Sequence, residues 1–227
     1  MPITPSCVLF SGGLDSAVLL ALERRSHAPV HPVHVRAGLA WEDAERRAID
    51  RLLETPVIAE GVAPLTTLTV DMRDVYPASH WAVTGHPPAY DTPDEDVYLE
   101  GRNIVLLTKT AVLCARRGIA RIALGPLSNN PFPDASPAFF ETLARALSLG
   151  LGRDISIHTP LSSHHKDQVV RLGVELGVPL ELSLSCMNPV DDRHCGACSK
   201  CRERRDAFAA AGIADPTTYA IDWKETT

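Results

Sequence analysis

The chain has 227 residues, 45% of them apolar and 22% charged, with a formal net charge of -6 at pH 7. These proportions describe a globular domain with a full core and exclude a disordered chain, while the acidic balance argues against nucleic acid as partner and leaves only local basic patches at Arg116-Arg117 and Arg202 to Arg205. No apolar run approaches the roughly 18 residues of a membrane helix, and the start MPITPSCVLF lacks a signal-peptide pattern, so the expected setting is cytoplasmic with no membrane partner.

Short β-branched runs alternate with helix-period segments, the pattern of an α/β fold with a parallel sheet flanked by helices. Cys7 to Phe10 predicts the first strand. The following Ser11-Gly12-Gly13-Leu14-Asp15-Ser16 leads into a helix through AVLLALERR, which Asp15 or Ser16 can cap. This junction is either a sharp turn or a phosphate cradle. It is neither G-x-x-x-x-G-K-S/T nor G-x-G-x-x-G, which sets aside P-loop and dinucleotide folds. Gly12 and Gly13 can turn consecutive N–H groups toward one point at the helix N-terminus, and the Ser11 and Ser16 hydroxyls can add hydrogen bonds. Asp15 fits beside a phosphate once a divalent cation lies between them.

Pro32 to Arg36 predicts a second strand, and a helix over 41–54 carries Trp41, Ala44, Ala48, Ile49 and Leu52 at helical spacing. Leu65 to Val70 is a third strand. The Pro-containing stretch from Asp71 to Glu100 reads as a long ordered excursion, with Tyr76, Trp81, Tyr90 and Tyr98 covering substrate or touching a subunit. A helix from Asn103 to Arg117 follows, with Asn103 as N-cap and Gly118 at its end. Ile119 to Leu124 is a strand, Pro137 to Leu149 a helix and Ile155 to His158 a strand. Ser162 or Ser163 caps the helix that reaches Leu176. His34, His164 and His165, near element ends, read as solvated or capping more than as catalytic.

Of six cysteines, Cys7 and Cys114 lie in apolar runs and read as core. Cys186, Cys195, Cys198 and Cys201 form two overlapping C-x-x-C steps and an upstream thiol, a closed all-thiolate set of the structural zinc type, with Lys200, Arg202 and Arg204 offsetting its charge. The competing reading is an iron–sulfur cluster, because C-x-x-C-x-x-C is also a ferredoxin core; there the fourth cysteine lies downstream and precedes a proline. A short helix through Arg202 to Ala211 and a tail complete the chain. The expected division is 1–182 for an ATP-binding α/β domain and 183–227 for a zinc-binding subdomain.

SGGLDS resembles the signature of the PP-loop ATP pyrophosphatases. That resemblance implies ATP held by Phe10, Ser11, Gly12, Gly13, Leu14, Asp15 and Ser16, with Mg²⁺, and cleaved between its α and β phosphates. The whole chain resembles the 7-cyano-7-deazaguanine synthase (QueC) family, through GRN at Gly101 to Asn103, FPDASPAFFETLARALSLG, Thr159-Pro160-Leu161 with Lys166, and SCMNP followed by CGACSKCRERRDAFAAAGIADPT. The resemblance implies a Rossmann-like (HUP) sheet, Zn²⁺ on the four cysteines and a homodimer. It also implies adenylation of a small-molecule carboxylate, 7-carboxy-7-deazaguanine, and attack by ammonia to give an amide and then a nitrile. Asp15, Ser16, Lys166 and Arg102 would serve that chemistry, with Gly38, Phe132 and Asp134 on the substrate. Asp134 would accept from a guanine-like edge.

Departures from the family pattern fall on the substrate side. The family's tyrosine-glycine-glutamine-arginine-histidine stretch keeps only Gly38 within His34 to Trp41. Phe132 and Ala135 replace a tyrosine and a cysteine, and Met187 replaces the tyrosine after Ser185-Cys186. Three further readings stand beside the synthase: a QueC-like ligase that uses another carboxylate, another amine or a macromolecule, a tRNA-thiolating PP-loop enzyme, and a non-enzymatic nucleotide sensor.

Overall fold

The computed structural model describes residues 4–128 and 130–221. Thirteen of its elements carry the architecture. In chain order they are β1 (Ser6–Leu9), α1 (Leu14–Glu23), β2 (Val30–Arg36), α2 (Glu42–Leu53), α3 (Pro56–Ala59), β3 (Thr66–Thr69), α4 (Trp81–Thr84), α5 (Arg102–Arg117), β4 (Arg121–Ala123), α6 (Pro137–Leu151), β5 (Ser156–His158), α7 (Lys166–Glu175) and α8 (Ser199–Ala211).

All strand pairs are parallel, in the order β3-β2-β1-β4-β5. β1 lies at the centre, and the chain reverses its direction of winding between β1 and β4. In such sheets the crevice beyond the carboxyl ends of the strands, at the reversal, is the natural ligand site. Pro32 sits in the second strand without breaking the ladder. Phe10 N donates to Val33 O and Val30 N to Gly61 O, so the alternation turns Pro32 toward β3. The β3 ladder begins only at Val33 opposite Thr66, and no donor is missed.

Helices cover both faces. On one, Val8, Phe10 and Ala123 of the strand region pack with Leu14, Val18 and Leu19 of α1, Val169 and Val170 of α7, and Phe208 of α8. On the other, Cys7, Val33 and Ile122 pack with Leu107 and Ala111 of α5 and Phe140 of α6, and both Cys7 and Cys114 are buried there as free thiols. A third core lies at the carboxyl end, where Trp41, Tyr76, Leu99 and the four remaining cysteines meet. α8 is thus joined to the main core through Phe208 and anchored by the fully buried Arg204, which donates to Leu180 O at 2.7 Å and Ser183 Oγ at 2.9 Å. Residues 222–227 of the expected second domain lie outside the described residues. No described helix is long and apolar enough to cross a membrane.

Three expected caps differ. α1 begins at Leu14 with Gly13 as N-cap, so Asp15 and Ser16 lie inside its first turn. α5 begins at Arg102 because Gly101, at φ 74°, makes the turn that Asn103 was expected to cap. α7 begins at Lys166, after His165, whose N–H donates to Gln168 Oε1 at 2.8 Å; Ser162 and Ser163 belong to the preceding turn.

Candidate active site

The loop between β1 and α1 is closed from below by α2. Gly12 has φ +75°, and a Cβ there would lie 3.0 Å from Ile49 Cγ1 and 3.2 Å from the Glu45 carbonyl oxygen. Conformation and space both demand glycine. Ser16 Oγ donates to Gly13 O at 3.0 Å and lies 3.3 Å from Ser11 Oγ, which stiffens the loop. No side chain caps α1. Its first-turn N–H groups have no acceptor within the helix, and they are the donors an oxyanion needs. Ser11, Gly13, Leu14 and Asp15 border the cavity above them, while Phe10 is buried beneath its smaller arm.

Cations face this loop. Lys166 Nζ lies 2.6 Å from Asp15 Oδ2 and 3.2 Å from Glu203 Oε1, and Lys200 Nζ is 2.5 Å from Glu203 Oε2. Burial pulls the Lys166 ammonium toward the neutral form, but Asp15 and Glu203 outweigh it and hold its pKa above the ordinary value. Burial likewise works against the Glu203 carboxylate, yet Lys166 and Lys200 bring it down to about 2. The second oxygen of Asp15, Oδ1, is buried with no hydrogen-bond partner among the described residues. A cation or a ligand donor fits it. Arg102, the first residue of α5, borders both arms of the cavity, and its buried Nε also has no partner among the described residues.

The smaller arm, about 250 Å³, lies over Leu9, Val33, Val35 and Leu124 at the strand ends. His34 borders it. Rather than solvated, this histidine is 2% exposed, with its pKa lowered to about 4 by burial and its Nε2 unpartnered among the described residues. The larger arm, about 430 Å³, runs from the loop toward an aromatic end made by Trp41, Trp81 and Phe132. Trp41 and Trp81 stack at 5.7 Å with planes 9° apart, and Phe132 stacks on Tyr98 at 5.0 Å. Between the arms stands Glu45, 8% exposed, whose Oε1 accepts from Trp41 Nε1 at 3.2 Å. Burial raises its pKa to about 7 against the pull of Arg102.

The residues expected to touch substrate are thereby separated. Phe132 borders the cavity. Asp134 instead turns back to α5, where its Oδ2 accepts from Asn103 N at 3.0 Å while Asn103 Nδ2 donates to Asp134 O at 3.0 Å. Burial raises the Asp134 pKa although Asn103 and Arg102 favour its charge. Gly38 serves the turn into α2: at φ +85° it lies against the Asp71 and Arg73 side chains, and Glu42 accepts from its N–H at 3.2 Å. Sequence reasoning missed Glu45 and Glu203, gave Lys200 to the thiolates, and named Trp81 only as part of a loop covering substrate or touching a subunit. Glu45 carries a readable signal, since it falls on the apolar stripe of α2 four residues after Trp41 and four before Ile49.

The four cysteine sulfurs converge within 4.8 Å of one another, and all four residues are buried free thiols. Cys198 Sγ lies 3.5 Å from Cys201 Sγ and 3.9 Å from Cys186 Sγ. Backbone N–H groups of Asn188 and Cys195 point at Cys186 Sγ, at 3.3 and 3.2 Å, and favour the thiolate. His194 shapes the turn before them. Burial lowers its pKa to about 3, and its neutral Nε2 accepts from Ser185 N at 3.0 Å. Four soft donors in a closed, buried set fit a tetrahedral metal ion. Lys200 and Arg202, expected to offset the thiolate charge, are engaged elsewhere: Lys200 with Glu203, and Arg202 with the carbonyls of Tyr90 and Thr92, which ties the long excursion to α8.

Comparison with known proteins gives the family. The sequence profile described as "Queuosine biosynthesis protein QueC" matches residues 5–212. The chain belongs to the QueC family. A QueC relative from Anaeromyxobacter, named 7-cyano-7-deazaguanine synthase, is 37% identical over 96% of this chain and 97% of its own. One of the same name from Methanopyrus kandleri is 37% identical over 93% and 97%, and one from Xanthomonas campestris 35% over 94% and 97%. Among solved structures, a tRNA thiolase, NcsA, from Methanococcus maripaludis with its 4Fe-4S cluster superposes with a TM-score of 0.50 at 14% identity, over 93% of this chain and 74% of that one. That likeness shows a shared fold. Trp41, Phe132 and Met187, at which the sequence was read as departing from the resemblance, all border the larger arm of the cavity.

Proposed function

We propose that the protein is an ATP-dependent ligase that adenylates 7-carboxy-7-deazaguanine and reacts it with ammonia, giving the amide with release of AMP and, after adenylation of the amide oxygen by a second ATP and elimination of AMP carrying that oxygen, 7-cyano-7-deazaguanine. The observation that carries this reading is the uncapped N-terminus of α1 facing Lys166 and Arg102 across one cavity. Charge developing on the α-phosphate would be met by the first-turn N–H groups and by these cations, so catalysis rests on preorganised donors more than on a side-chain nucleophile. Mg²⁺ bound with the nucleotide would neutralise phosphate charge, and Asp15, through its unpartnered Oδ1, is suited to hold it. The adenine would lie in the smaller arm, beside His34. A planar heterocycle would enter the aromatic end between Trp81 and Phe132, with Glu45 as acceptor for its ring N–H and exocyclic amine. The four thiolates would hold Zn²⁺ in a structural role.

Incubation with ATP, Mg²⁺, ammonium and 7-carboxy-7-deazaguanine, followed by mass spectrometry, tests the reading. Amide or nitrile, AMP and pyrophosphate are expected. ATP consumption without either nitrogen product would overturn the acceptor assignment and leave the loop chemistry intact.

A second reading, a QueC-like ligase with another carboxylate or amine, is favoured by one observation. Trp41, Phe132 and Met187 change the aromatic end of the cavity while the loop, Lys166 and the cysteines are kept. The same incubation with a panel of amines in place of ammonium separates the two. The homodimer comes with the family resemblance, and light scattering checks it.

A further inference from the structure

The phosphate end of the cavity contains more charge than the loop chemistry uses. Lys166 and Lys200 are joined by one carboxylate: Glu203 Oε1 lies 3.2 Å from Lys166 Nζ and Oε2 lies 2.5 Å from Lys200 Nζ. Asp15 Oδ2 holds Lys166 from the other side at 2.6 Å. All four side chains border the larger arm of the cavity, and each keeps some exposure to it, 18% for Lys166, 28% for Lys200 and Asp15 and 21% for Glu203. Their charges alternate and sum to zero.

Three geometric facts suggest what the arrangement is for. Lys200 lies in the first turn of α8 and Glu203 three residues further on, so both project from the same face. Cys198 is the N-cap of that helix and Cys201 lies in the same turn, so the thiolate set fixes the backbone that carries Lys200. Glu203 bridges two ammonium groups with its two oxygens, as a bridging phosphate oxyanion would. Without it, two lysines would face each other across a partly desolvated space, which is electrostatically unfavourable.

We infer that Lys200 is a second phosphate-binding cation and that Glu203 occupies the place of a phosphate in the free protein. When a polyphosphate enters, Lys166 and Lys200 exchange Glu203 for phosphate oxygens, and the carboxylate swings toward solvent. No bond is made or broken in this step; it is an exchange of ion pairs. The inference rests on the reading of the loop as a phosphate site, and it assigns a role to two residues that the loop motif does not contain.

The two residues act in opposite directions, which makes the test sharp. Inorganic pyrophosphate, titrated calorimetrically into the metal-loaded full-length protein, is the probe, with adenosine as a control ligand that carries no phosphate. Lys200→Gln is expected to weaken pyrophosphate binding about tenfold, the loss of one charge-assisted contact. Glu203→Gln is expected to tighten it several-fold by removing the internal competitor. Adenosine affinity and thiol-bound metal content should stay unchanged in both. Unaltered pyrophosphate affinity in Lys200→Gln, or weaker binding in Glu203→Gln, overturns the inference while the loop reading stands. A wild-type protein that binds neither pyrophosphate nor ATP overturns both.

Discussion

The Asp134 carboxylate caps α5 from 31 residues away, accepting from Asn103 N at 3.0 Å while the Asn103 side chain donates back to the Asp134 carbonyl at 3.0 Å. The two residues close a reciprocal clasp at a helix start that lacks a side-chain cap of its own. Asp134→Ala should therefore cost about 1–2 kcal/mol of stability, the scale of a lost N-cap, and urea unfolding reads it directly. Substrate KM should change less than the denaturation midpoint. A variant of full stability with lost substrate binding would return Asp134 to the substrate.

Asp15 has one oxygen on Lys166 and one without a partner among the described residues. Asp15→Asn keeps the shape of the side chain and removes its charge. ATP consumption should fall at least about a hundredfold, the range seen when one preorganised electrostatic group is removed. Thermal unfolding should shift little, since the pair is partly exposed. Undiminished turnover would remove Asp15 from the mechanism.

Cys198 is at once a member of the thiolate set and the N-cap of α8. Cys198→Ser should lower bound metal below one equivalent and destabilise the fold by several kcal/mol, because metal binding and folding are linked at closed sites. Elemental analysis of the purified protein should give zinc. A brown protein with iron and acid-labile sulfide would replace that assignment with a cluster.

His34 and Glu45 make opposite contributions to stability over nearly the same pH range. His34 is held at about 4 against an ordinary 6.5, so its contribution is fully present above pH 6.5 and is lost as pH falls through 4. Glu45 is raised from 4.5 to about 7, so its contribution is complete below pH 4.5 and is lost as pH rises through 7. Each is worth up to about 3 kcal/mol. Relative to wild type, stability of His34→Asn should tilt downward with rising pH, and that of Glu45→Gln upward, in chemical denaturation between those limits. Parallel profiles for all three proteins would refute both assignments.

The sheet, its flanking helices, the Gly12-Gly13 loop and the convergence of the four cysteines were legible because each is written locally, in periodicity or in spacing. The caps were not. Asp15 and Ser16 have the chemistry of caps, yet Gly13 takes that position and both lie inside the first turn, which has no side-chain cap. Asn103 and Asp134 were each read alone, and their clasp depends on the approach of two segments that no local pattern reports. Lys200 was assigned to the thiolates because it lies among them in sequence; its pairing with Glu203 runs three residues along α8, and only the packing of α8 on α7 brings that carboxylate to Lys166. Glu45 was overlooked on a stripe whose apolar members were noticed, although a carboxylate in such company is itself a sign of a buried role.

The aromatic end of the cavity is assembled from four separate stretches of chain: the approach to α2 at Trp41, the excursion at Trp81, the segment before α6 at Phe132 and the cysteine turn at Met187. None of these residues lies in a strand. Under the proposed function, acceptor choice can therefore be rewritten one connection at a time, with the strand register and the loop between β1 and α1 left as they are.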